Sequence, residues 1–520
     1  AGTDYCLFLI SRYREELARG TERGKALKDA VGGVGEALVA SAGTVICGLG
    51  LMATAEFAKI KCGGPAIAVS LAVALVASLT LTPALLSLLG RGAFWPVGAP
   101  KKEETEKEGV WGALSRLVLR RPILIWTASV AALLPLAFLG LTVRPSYRAT
   151  GELSPRCSSV LGLEAICRHF TPGEVGPVTV LLESTKDWDT PEGQAVIEHL
   201  SLGFGTLDNV AEVRSLTRPL GKPVEEAKGP AHDPRAPARR NLLGAFGRNL
   251  ADLFNEQVKK AARGVYSSCV QDERGTRHVT RLDVVLKTEP FDPRSSATLD
   301  VIQLWIEDLS RIAAKMPGAR GETYGITVSS KDLALVTESD RTRINVLVLA
   351  GIFLILVFLV RHLGFALYLL FTVLLSYYAT LGATAILAHF WHLRPFGEVD
   401  WRVPFFLFTI LVAVGEDYNI FLLTRALEEK KKHGGEEGLR RALARTGGTI
   451  TSCGLIMAGT FATLMMAGLN TLVQVGFALA FGVMLDTFLV RPFLVPAFTL
   501  WLWRGEPAEQ QPEVQRRRAA

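Results

Sequence analysis

The sequence predicts a polytopic α-helical membrane protein that carries one large α+β domain outside the bilayer. The chain has 520 residues, of which 49% are hydrophobic and 21% are charged, with a mean hydropathy of +0.28. Its apolar residues are concentrated in long runs, and Thr446–Leu485 alone holds 40 residues without a formal charge. A bilayer span takes about 20 apolar residues. A wholly soluble protein, a collagen-like fibre and a disordered chain are therefore excluded.

The first residues are interpreted as part of a membrane helix. Ala1–Ser11 is apolar apart from Asp4 and Tyr5, yet it covers only about half of a span. The segment has no initiator Met, no basic region and no signal peptide. We therefore expect the sequence to be a C-terminal fragment of a longer protein that begins inside a transmembrane helix.

Apolar runs and charged segments then alternate along the chain, and this alternation predicts the domains. The loops are expected to include the charged segments 12–36 and 425–445. The predicted domains are 1–90 (the end of a first transmembrane half, with one partial and two complete spans), 91–121 (a cytoplasmic loop), 122–143 (the lead span of a second half), 144–343 (the α+β domain), 344–503 (a five-span bundle) and 504–520 (a cytoplasmic tail).

The charge distribution predicts the orientation in the membrane. Segment 144–343 holds 27 Lys+Arg and 27 Asp+Glu, so the net charge of +7 comes from the rest of the chain. The basic segments 12–36, 91–121 and 425–445 and the tail fall on one side of the alternating spans, which the positive-inside rule assigns to the cytoplasm. A bacterial inner (plasma) membrane protein with 144–343 extracytoplasmic is therefore expected, and nucleic acid is not implied as a partner.

Segment 144–343 shows a strand–helix–strand pattern twice. Val178–Leu182 and Val210–Ser215 alternate as strands, and Thr190–Pro191 starts the helix between them. Arg277–Leu286 is a further strand, and Asp292–Pro293 starts a helix that is expected to reach about residue 316. Two such units favour a ferredoxin-like α+β domain. Residues 222–240 are predicted to be a linker, 241–263 a helix, and 331–343 a helix that continues into the membrane.

An internal repeat divides the membrane region into two halves. Gly2–Glu16 matches Gly415–Glu429 at a constant offset of 413, with Gly, Asp, Tyr, Phe, Leu, Arg and a Glu pair in common. Repeated halves are a hallmark of secondary transporters, and two copies in the same direction are of the parallel kind. If the halves are equivalent, roughly 290 residues precede residue 1.

Asp4 and Asp417 occupy matching positions in apolar runs, and each is followed by a tyrosine, Tyr5 or Tyr418. An Asp at the centre of a membrane helix costs about 3 kcal/mol, so repeated placement favours a function over chance. Such a carboxyl can be neutral or ionised, and the tyrosine hydroxyl of one half can donate to the ionised carboxylate of the other half when the two helices lie side by side. We predict a proton relay made of these four residues. A polar residue reaching an interface is the alternative.

Other polar residues in the apolar runs have alternative roles. Glu416 departs from the repeat, since Thr3 occupies that position in the first copy, and it is either a second titrating group or a residue facing a wet cavity. Asp486 and Arg491 are interpreted as a structural ion pair near the cytoplasmic end of the last span. Hydroxyl groups that can bond either to the acids or to their own helix backbone belong to Ser41, Thr44, Thr449, Thr451 and Ser452.

The seven cysteines indicate no metal or redox site. The sequence has no CxxC or Cys/His spacing typical of a metal site, and no cofactor is expected. Cys157, Cys167 and Cys269 in segment 144–343 allow one disulfide without fixing which. No Ser/His/Asp arrangement or phosphate loop stands in a suitable context, so an enzyme is not expected.

The motifs together resemble the MMPL family of the RND superfamily. They are Gly-x-Asp-Tyr followed by Phe-Leu, the Thr-x-x-Ser-x-Gly-Leu stretch at Thr449–Leu455, the sequence DTFLVRPFLVPA at Asp486–Ala497 and the segment Tyr324–Ile344. The resemblance covers nearly the whole chain and is weakest over 144–330. It implies an exporter of lipids or other hydrophobic molecules, driven by the proton-motive force, in which Asp4–Tyr5 and Asp417–Tyr418 are the relay pairs.

Two other functions remain open at this point. A Patched-like or sterol-sensing lipid receptor has a similar fold and similar acids, whereas a translocation accessory of the SecD/SecF type has a different intramembrane Asp motif. The expected partners are membrane lipids, a hydrophobic or lipid substrate and protons, with a homo-oligomer or periplasmic partner proteins left open.

Overall fold

The computed structural model describes residues 2–94, 110–223, 253, 256–272 and 275–504, with the backbone alone at positions 91, 110, 149, 272, 417 and 504. The chain forms two compact units. The membrane unit comprises residues 1–154 and 336–520, and the α+β unit comprises residues 155–335. The predicted linker 222–240 and tail 504–520 lie almost entirely outside the described residues.

The membrane unit is built from long helices. Within the described residues, eight helical segments are long and apolar enough to cross a membrane, which establishes the predicted polytopic class. The helices are α1 (Gly2–Ala18), α2 (Arg23–Gly50), α3 (Ala58–Leu89), α4 (Val110–Arg120) and α5 (Pro122–Leu141), followed after the α+β segment by α9 (Ile326–Val360), α10 (Leu363–Phe390), α11 (Arg402–His433), α12 (Gly435–Ala462), α13 (Asn470–Leu485), a π-helical segment (Asp486–Leu494) and α14 (Val495–Arg504).

The charged segments 12–36 and 425–445 are helical, and their prediction as loops was wrong. Helix α1 runs to Ala18 and α2 begins at Arg23, while α11 and α12 are separated by Gly434 alone. A helix of 32 residues is roughly 48 Å long, against a hydrocarbon core of about 30 Å, so α11 has length to spare for a charged end. Ion pairs three and four residues apart hold these charged turns together.

The repeat is visible in the helices as well as in the sequence. Helix α2 ends in a 3₁₀ turn at Leu51–Thr54, and α12 ends in a 3₁₀ turn at Thr463–Met466, so the two turns begin 412 residues apart. In each turn the last backbone N–H, that of Ala55 or Ala467, donates to the carbonyl three residues earlier. The parallel halves predicted from the sequence therefore share a backbone break as well as motifs.

Helices α5 and α10 approach closely because both carry glycine at the contact. A Cβ added at Gly140 would lie 1.9 Å from the carbonyl oxygen of Tyr378, and one added at Gly382 would lie 2.1 Å from that of Leu136. Small residues allow membrane helices to pack backbone against backbone. The lead span of the second half is thus fixed against the bundle by two positions that tolerate no side chain.

A short parallel β-bridge closes one end of this bundle. Strand β1 (Arg144–Ser146) pairs in register with β7 (Glu398–Asp400), which joins the end of α5 to the turn before α11. The buried carboxylate of Asp400 accepts from Arg394 at 3.2 Å and from the hydroxyl of Thr471 at 2.9 Å. A buried charge with several partners is stabilised where an unpaired one is costly.

The α+β unit has the ferredoxin-like order predicted from its sequence. The elements are α6 (Ser158–His169), β2 (Val178–Ser184), α7 (Pro191–Gly205), β3 (Val210–Arg214), β4 (Ser267–Asp272), β5 (Gly275–Leu286), α8 (Pro293–Glu307) and β6 (Arg320–Tyr324). The sheet runs β3–β5–β2–β6 with all neighbours antiparallel, and a hairpin strand, β4, pairs with β5. Helix α7 connects β2 to β3, and α8 connects β5 to β6, as two split βαβ units require.

Caps position the two helices of this sheet. The Thr190 side chain accepts from the backbone N–H of Gly193, and the Asp292 side chain accepts from that of Arg294, with proline next in each helix. The second helix ends at Glu307, earlier than expected, and a separate turn, Leu309–Ile312, follows. Strands β4 and β6 and helix α6 are additions to the sequence prediction, and residues 256–266 are the described part of the helix predicted at 241–263.

Candidate functional site

The two repeat helices α1 and α11 face each other inside the membrane unit. The rings of Phe8 and Phe421, which occupy equivalent positions, stack with centroids 4.0 Å apart and planes inclined by 11°. The Phe8 ring also lies 6.0 Å from that of Tyr418. The Gly-x-Asp-Tyr motifs of the two halves are therefore brought together by packing between equivalent side chains.

Asp4 is a buried acid at the junction between the two halves. Its side chain lies beside the Tyr418 hydroxyl and the Cys453 thiol and is coupled electrostatically to Arg491. Asp4 is 6% exposed and Tyr418 is 1% exposed. An acid from the first half thus meets a tyrosine from the second half, which is the cross-pairing that the repeat predicts. A tyrosine hydroxyl can donate to an ionised carboxylate and accept from a protonated one.

Arg491 connects this acid to a second one. Its guanidinium lies 3.9 Å from the centre of the Tyr418 ring and forms an ion pair with Asp486. Asp486 and Arg491 are 2% and 3% exposed, so neither charge is solvated by bulk water. A cation over an aromatic face is attracted by the ring quadrupole, with an energy of about 2 kcal/mol when desolvated. The site therefore contains two buried acids and one buried cation arranged around Tyr418.

The π-helical segment explains how Asp486 and Arg491 meet. On a regular α-helix, residues five apart point about 140° away from each other, and their side chains diverge. The segment Asp486–Leu494 winds as a π-helix, in which the backbone bonds run between residues five apart. It approaches α12 at Gly454, where a Cβ would lie 2.2 Å from the hydroxyl oxygen of Thr487. Glycine at this position lets the ion pair reach the Asp4 side of the bundle.

Glu416 is buried on α11 and accepts from the side-chain amide of Asn419 at 3.4 Å. Its counterpart in the first half, Thr3, is exposed. Asp417 follows Glu416 on the same helix, and its side chain lies outside the described residues. Tyr5 is buried in α1. The assignment of Asp417 with Tyr5 as the second relay pair therefore stays a prediction.

The hydroxyl residues divide into two groups. Thr449 bonds across the halves, with its hydroxyl 2.9 Å from that of Ser11. Ser452 is exposed and donates to the Gly448 carbonyl of its own helix at 3.0 Å, so the structure does not bring it to the acids. Thr451 and Thr44 also donate to backbone carbonyls of their own helices, and the Ser41 side chain is buried.

Sequence reasoning missed part of this site. The expectation that Asp486 and Arg491 lie near the cytoplasmic end of the last span was wrong, since they lie midway along the helical stretch Asn470–Trp503 and Arg491 packs on Tyr418. Cys453 was left without a role. The repeat could have singled out Arg491, because this position is charged in the second half while its counterpart 413 positions earlier, Ser78, is not. All seven cysteines are free thiols, so the α+β unit has no disulfide.

The model of the MMPL family matches residues 1–125 and 272–519. The matched segments include both Gly-x-Asp-Tyr motifs and the π-helical segment, whereas most of the α+β unit falls between them.

Individual relatives match along nearly the whole chain. A putative membrane protein of Streptomyces coelicolor, SCO5905, is 32% identical over 97% of this chain and 53% of its own length. The apo-petrobactin exporter of Bacillus anthracis is 31% identical over 99% of this chain and 64% of its own length. The probable transport protein MmpL12 of Mycobacterium tuberculosis is 24% identical over 97% of this chain and 63% of its own length. The chain thus spans between half and two thirds of the length of these relatives.

Proposed function

The chain belongs to the MMPL family, and from this premise we propose that the protein is a secondary exporter of lipids or other hydrophobic molecules, driven by the proton-motive force. In this proposal Asp4 with Tyr418, and Asp417 with Tyr5, exchange protons between the two sides of the membrane. The observation that carries the proposal is the burial of the Asp4 carboxyl of one half against Tyr418 and Arg491 of the other.

The charges around Tyr418 give Asp4 two stable states. When Asp4 is ionised, Arg491 and the Tyr418 hydroxyl compensate its charge from the opposite half, which favours close contact between the halves. When Asp4 is protonated, Arg491 keeps Asp486 as its partner, so the cation is not left unpaired. Proton binding therefore changes the attraction between the halves, and a proton gradient can bias the two conformations differently from each side.

The names of relatives support transport rather than catalysis. One relative is named as an exporter of apo-petrobactin and another as a probable transport protein. Export is accordingly the proposed direction, with substrate taken from the membrane or the extracytoplasmic side. The α+β unit is proposed to be extracytoplasmic and to act in the passage of substrate, on the basis of the charge distribution of the loops.

The test is Asp4→Asn in the purified full-length protein reconstituted in vesicles. The substitution keeps the shape of the side chain but removes its exchangeable proton. We expect movement of an NBD-labelled phospholipid or of Nile red, driven by an imposed pH gradient, to fall to background, and the proton flux reported by internal pyranine to fall with it. Asp417→Asn is expected to behave in the same way.

Two further variants serve as graded controls. Tyr418→Phe removes one hydrogen bond, worth about 1 kcal/mol, so transport should fall roughly fivefold rather than to background. Asp29→Asn neutralises an exposed acid on α2 and should leave transport unchanged. Full gradient-driven transport by a folded Asp4→Asn protein would contradict the relay, whereas the absence of gradient-driven transport in the wild type would favour a lipid receptor.

A further inference from the structure

The charged ends of α1 and α11 form a set of ion pairs that repeats across the two halves. On α1, Arg12 pairs with Glu15 at 3.1 Å and with Glu16 at 3.3 Å. On α11, Arg425 pairs with Glu428 at 2.6 Å and with Glu429 at 3.1 Å. Each of these residues lies 413 positions from its counterpart, so the pairing obeys the same repeat as the Gly-x-Asp-Tyr motifs. We refer to the set as the crossed layer: Arg12, Glu15, Glu16, Arg425, Glu428 and Glu429.

The two helices also exchange partners within this layer. Arg425 reaches Glu15 of the first half at 2.8 Å, and Arg12 reaches Glu428 of the second half at 3.6 Å. Every arginine therefore has two carboxylates on its own helix and one on the opposite helix. The side chains of both arginines are mostly buried, so these contacts are stronger than ordinary surface pairs.

The crossed layer lies further along α1 and α11 than the proposed relay acids, and one layer of aromatic rings separates the two. Arg12 follows Asp4 by eight residues, or about 12 Å along the helix axis. The stacked rings of Phe8 and Phe421 lie between these two levels. A cavity of about 80 Å³ at this level is lined by both rings and by Ser11, Arg12, Arg425 and Thr449. A cavity of this size holds several water molecules.

Other charges face the layer from neighbouring elements. Arg445 of α12 bonds to Glu429 at 2.8 Å and approaches Glu15 at 3.7 Å. Arg19 and Lys432, another equivalent pair, bond to Glu15 and Glu428. His433 approaches Glu429 at 3.6 Å. Helix α2 faces the layer with the uncharged Gly33, where an added Cβ would lie 3.5 Å from the Arg12 side chain.

We propose that the crossed layer and the Phe8–Phe421 stack form the cytoplasmic gate between the proton-relay acids and the cytoplasm. The inference rests on the proposed function and adds to it the residues that control access to the relay. The basic segments at this end of the helices mark it as the cytoplasmic end. The rings exclude water from Asp4, and the crossing pairs Arg12–Glu428 and Arg425–Glu15 hold the halves together in the closed state.

Each arginine pairs with carboxylates on its own helix and on the opposite helix, which explains how such a gate opens. Separation of α1 from α11 and α12 breaks the two crossing pairs and the contact of Arg445 with Glu15. Arg12 keeps Glu15 and Glu16, Arg425 keeps Glu428 and Glu429, and Arg445 keeps Glu429. No buried charge is left unpaired, which is the expensive outcome in a protein interior. Water from the cavity then reaches the level of Asp4.

The first experiment opens the gate by substitution. Glu15→Gln combined with Glu428→Gln removes both crossing carboxylates and leaves each arginine one carboxylate on its own helix. In vesicles with internal pyranine and no substrate, we expect proton leak to rise about tenfold, within the roughly 5- to 150-fold range of conformational couplings. Glu437→Gln is the matched control, since Glu437 pairs with Arg440 and Arg441 on α12 itself.

Asp4→Asn added to the double variant tests whether the gate controls access to the relay. If the layer gates the Asp4 site, Asp4→Asn abolishes the leak of the double variant. A leak that persists with Asp4→Asn, or a folded double variant that leaks no more than wild type, overturns the gate. The proposed function is judged separately, by gradient-driven transport with Asp4→Asn as the only substitution.

A second experiment closes the gate and does not depend on a leak. The hydroxyl oxygens of Ser11 and Thr449 are 2.9 Å apart, so Ser11→Cys with Thr449→Cys places two thiols within reach of a disulfide. Copper phenanthroline oxidises the pair, and dithiothreitol reduces it again. Transport of Nile red should fall about tenfold on oxidation and recover on reduction, within the range of such couplings. Unchanged transport in the cross-linked protein, with the single variants as controls, overturns the gate.

Discussion

Arg491→Met tests whether the buried cation at Tyr418 is needed for stability, for function or for both. The substitution leaves Asp486, 2% exposed, without its ion-pair partner. If Asp486 stays ionised, removal of one member of a buried pair costs about 3–5 kcal/mol. If it takes up a proton instead, neutralising a carboxyl of ordinary pKa at pH 7 costs about 4 kcal/mol. Both routes give a loss of about 4 kcal/mol in the free energy of unfolding.

Asp486→Leu in the same chain separates the two roles of Arg491. The double variant replaces the buried pair with apolar side chains, which is often neutral for stability. We expect the double variant to regain most of the melting temperature, measured by fluorescence-detected size exclusion after heating, and still to transport no Nile red. A single variant that loses less than about 1 kcal/mol would refute the burial argument. Normal transport by the double variant would refute a role for Arg491 at the relay.

Two further predictions concern the fold. Gly382→Ala should destabilise the membrane unit by about 1–3 kcal/mol or more, because the new Cβ meets the Leu136 carbonyl, whereas Gly459→Ala on α12 meets nothing and should be neutral in the same heating assay. The pKa of Glu198 is lowered, mainly because Arg218 donates hydrogen bonds to its carboxylate. The pair therefore stabilises the α+β unit fully at a pH above the ordinary pKa of Glu, and this stabilisation is lost as the pH falls through the lowered pKa of Glu198. Arg218→Gln should therefore reduce protection from proteolysis in this unit at pH 7, and the difference from wild type should disappear at acid pH.

The fold was largely accessible from the sequence because its main signals are local. Uncharged runs long enough to span a bilayer have few alternative structures, since every backbone group in lipid must be bonded within the segment. The ferredoxin-like order followed from two strand–helix–strand units with recognisable caps at Thr190 and Asp292. The charged segments were misjudged because polarity was taken as a sign of loops, whereas Arg12, Glu15 and their equivalents stabilise helix by pairing three and four residues apart.

The residues of the site could be predicted from the sequence mainly where they follow the repeat. Asp4 and Tyr418 were identified from the repeat, but the partners of Tyr418 depend on long-range packing. The ion pair of Asp486 with Arg491 was expected from the sequence, but its place at Tyr418 was not. Residues five apart diverge on an α-helix, and a π-helical segment brings these two together. The crossing pairs of the gate join residues about 410 positions apart, and their matching positions suggest equivalence without indicating contact.

The two halves also differ at positions that bear on the proposed relay pairs. At the offset of 413, Val73 and Ser78 stand where the second half has Asp486 and Arg491. The repeat therefore supplies one acid–tyrosine pair per half, and among the described residues the buried cation Arg491 of the second half lies against Tyr418 and is coupled to Asp4. A cation near one pair favours its ionised form over that of the other pair. We therefore expect the two proposed pairs to bind and release protons in sequence rather than together, while the imposed proton gradient sets the direction of transport.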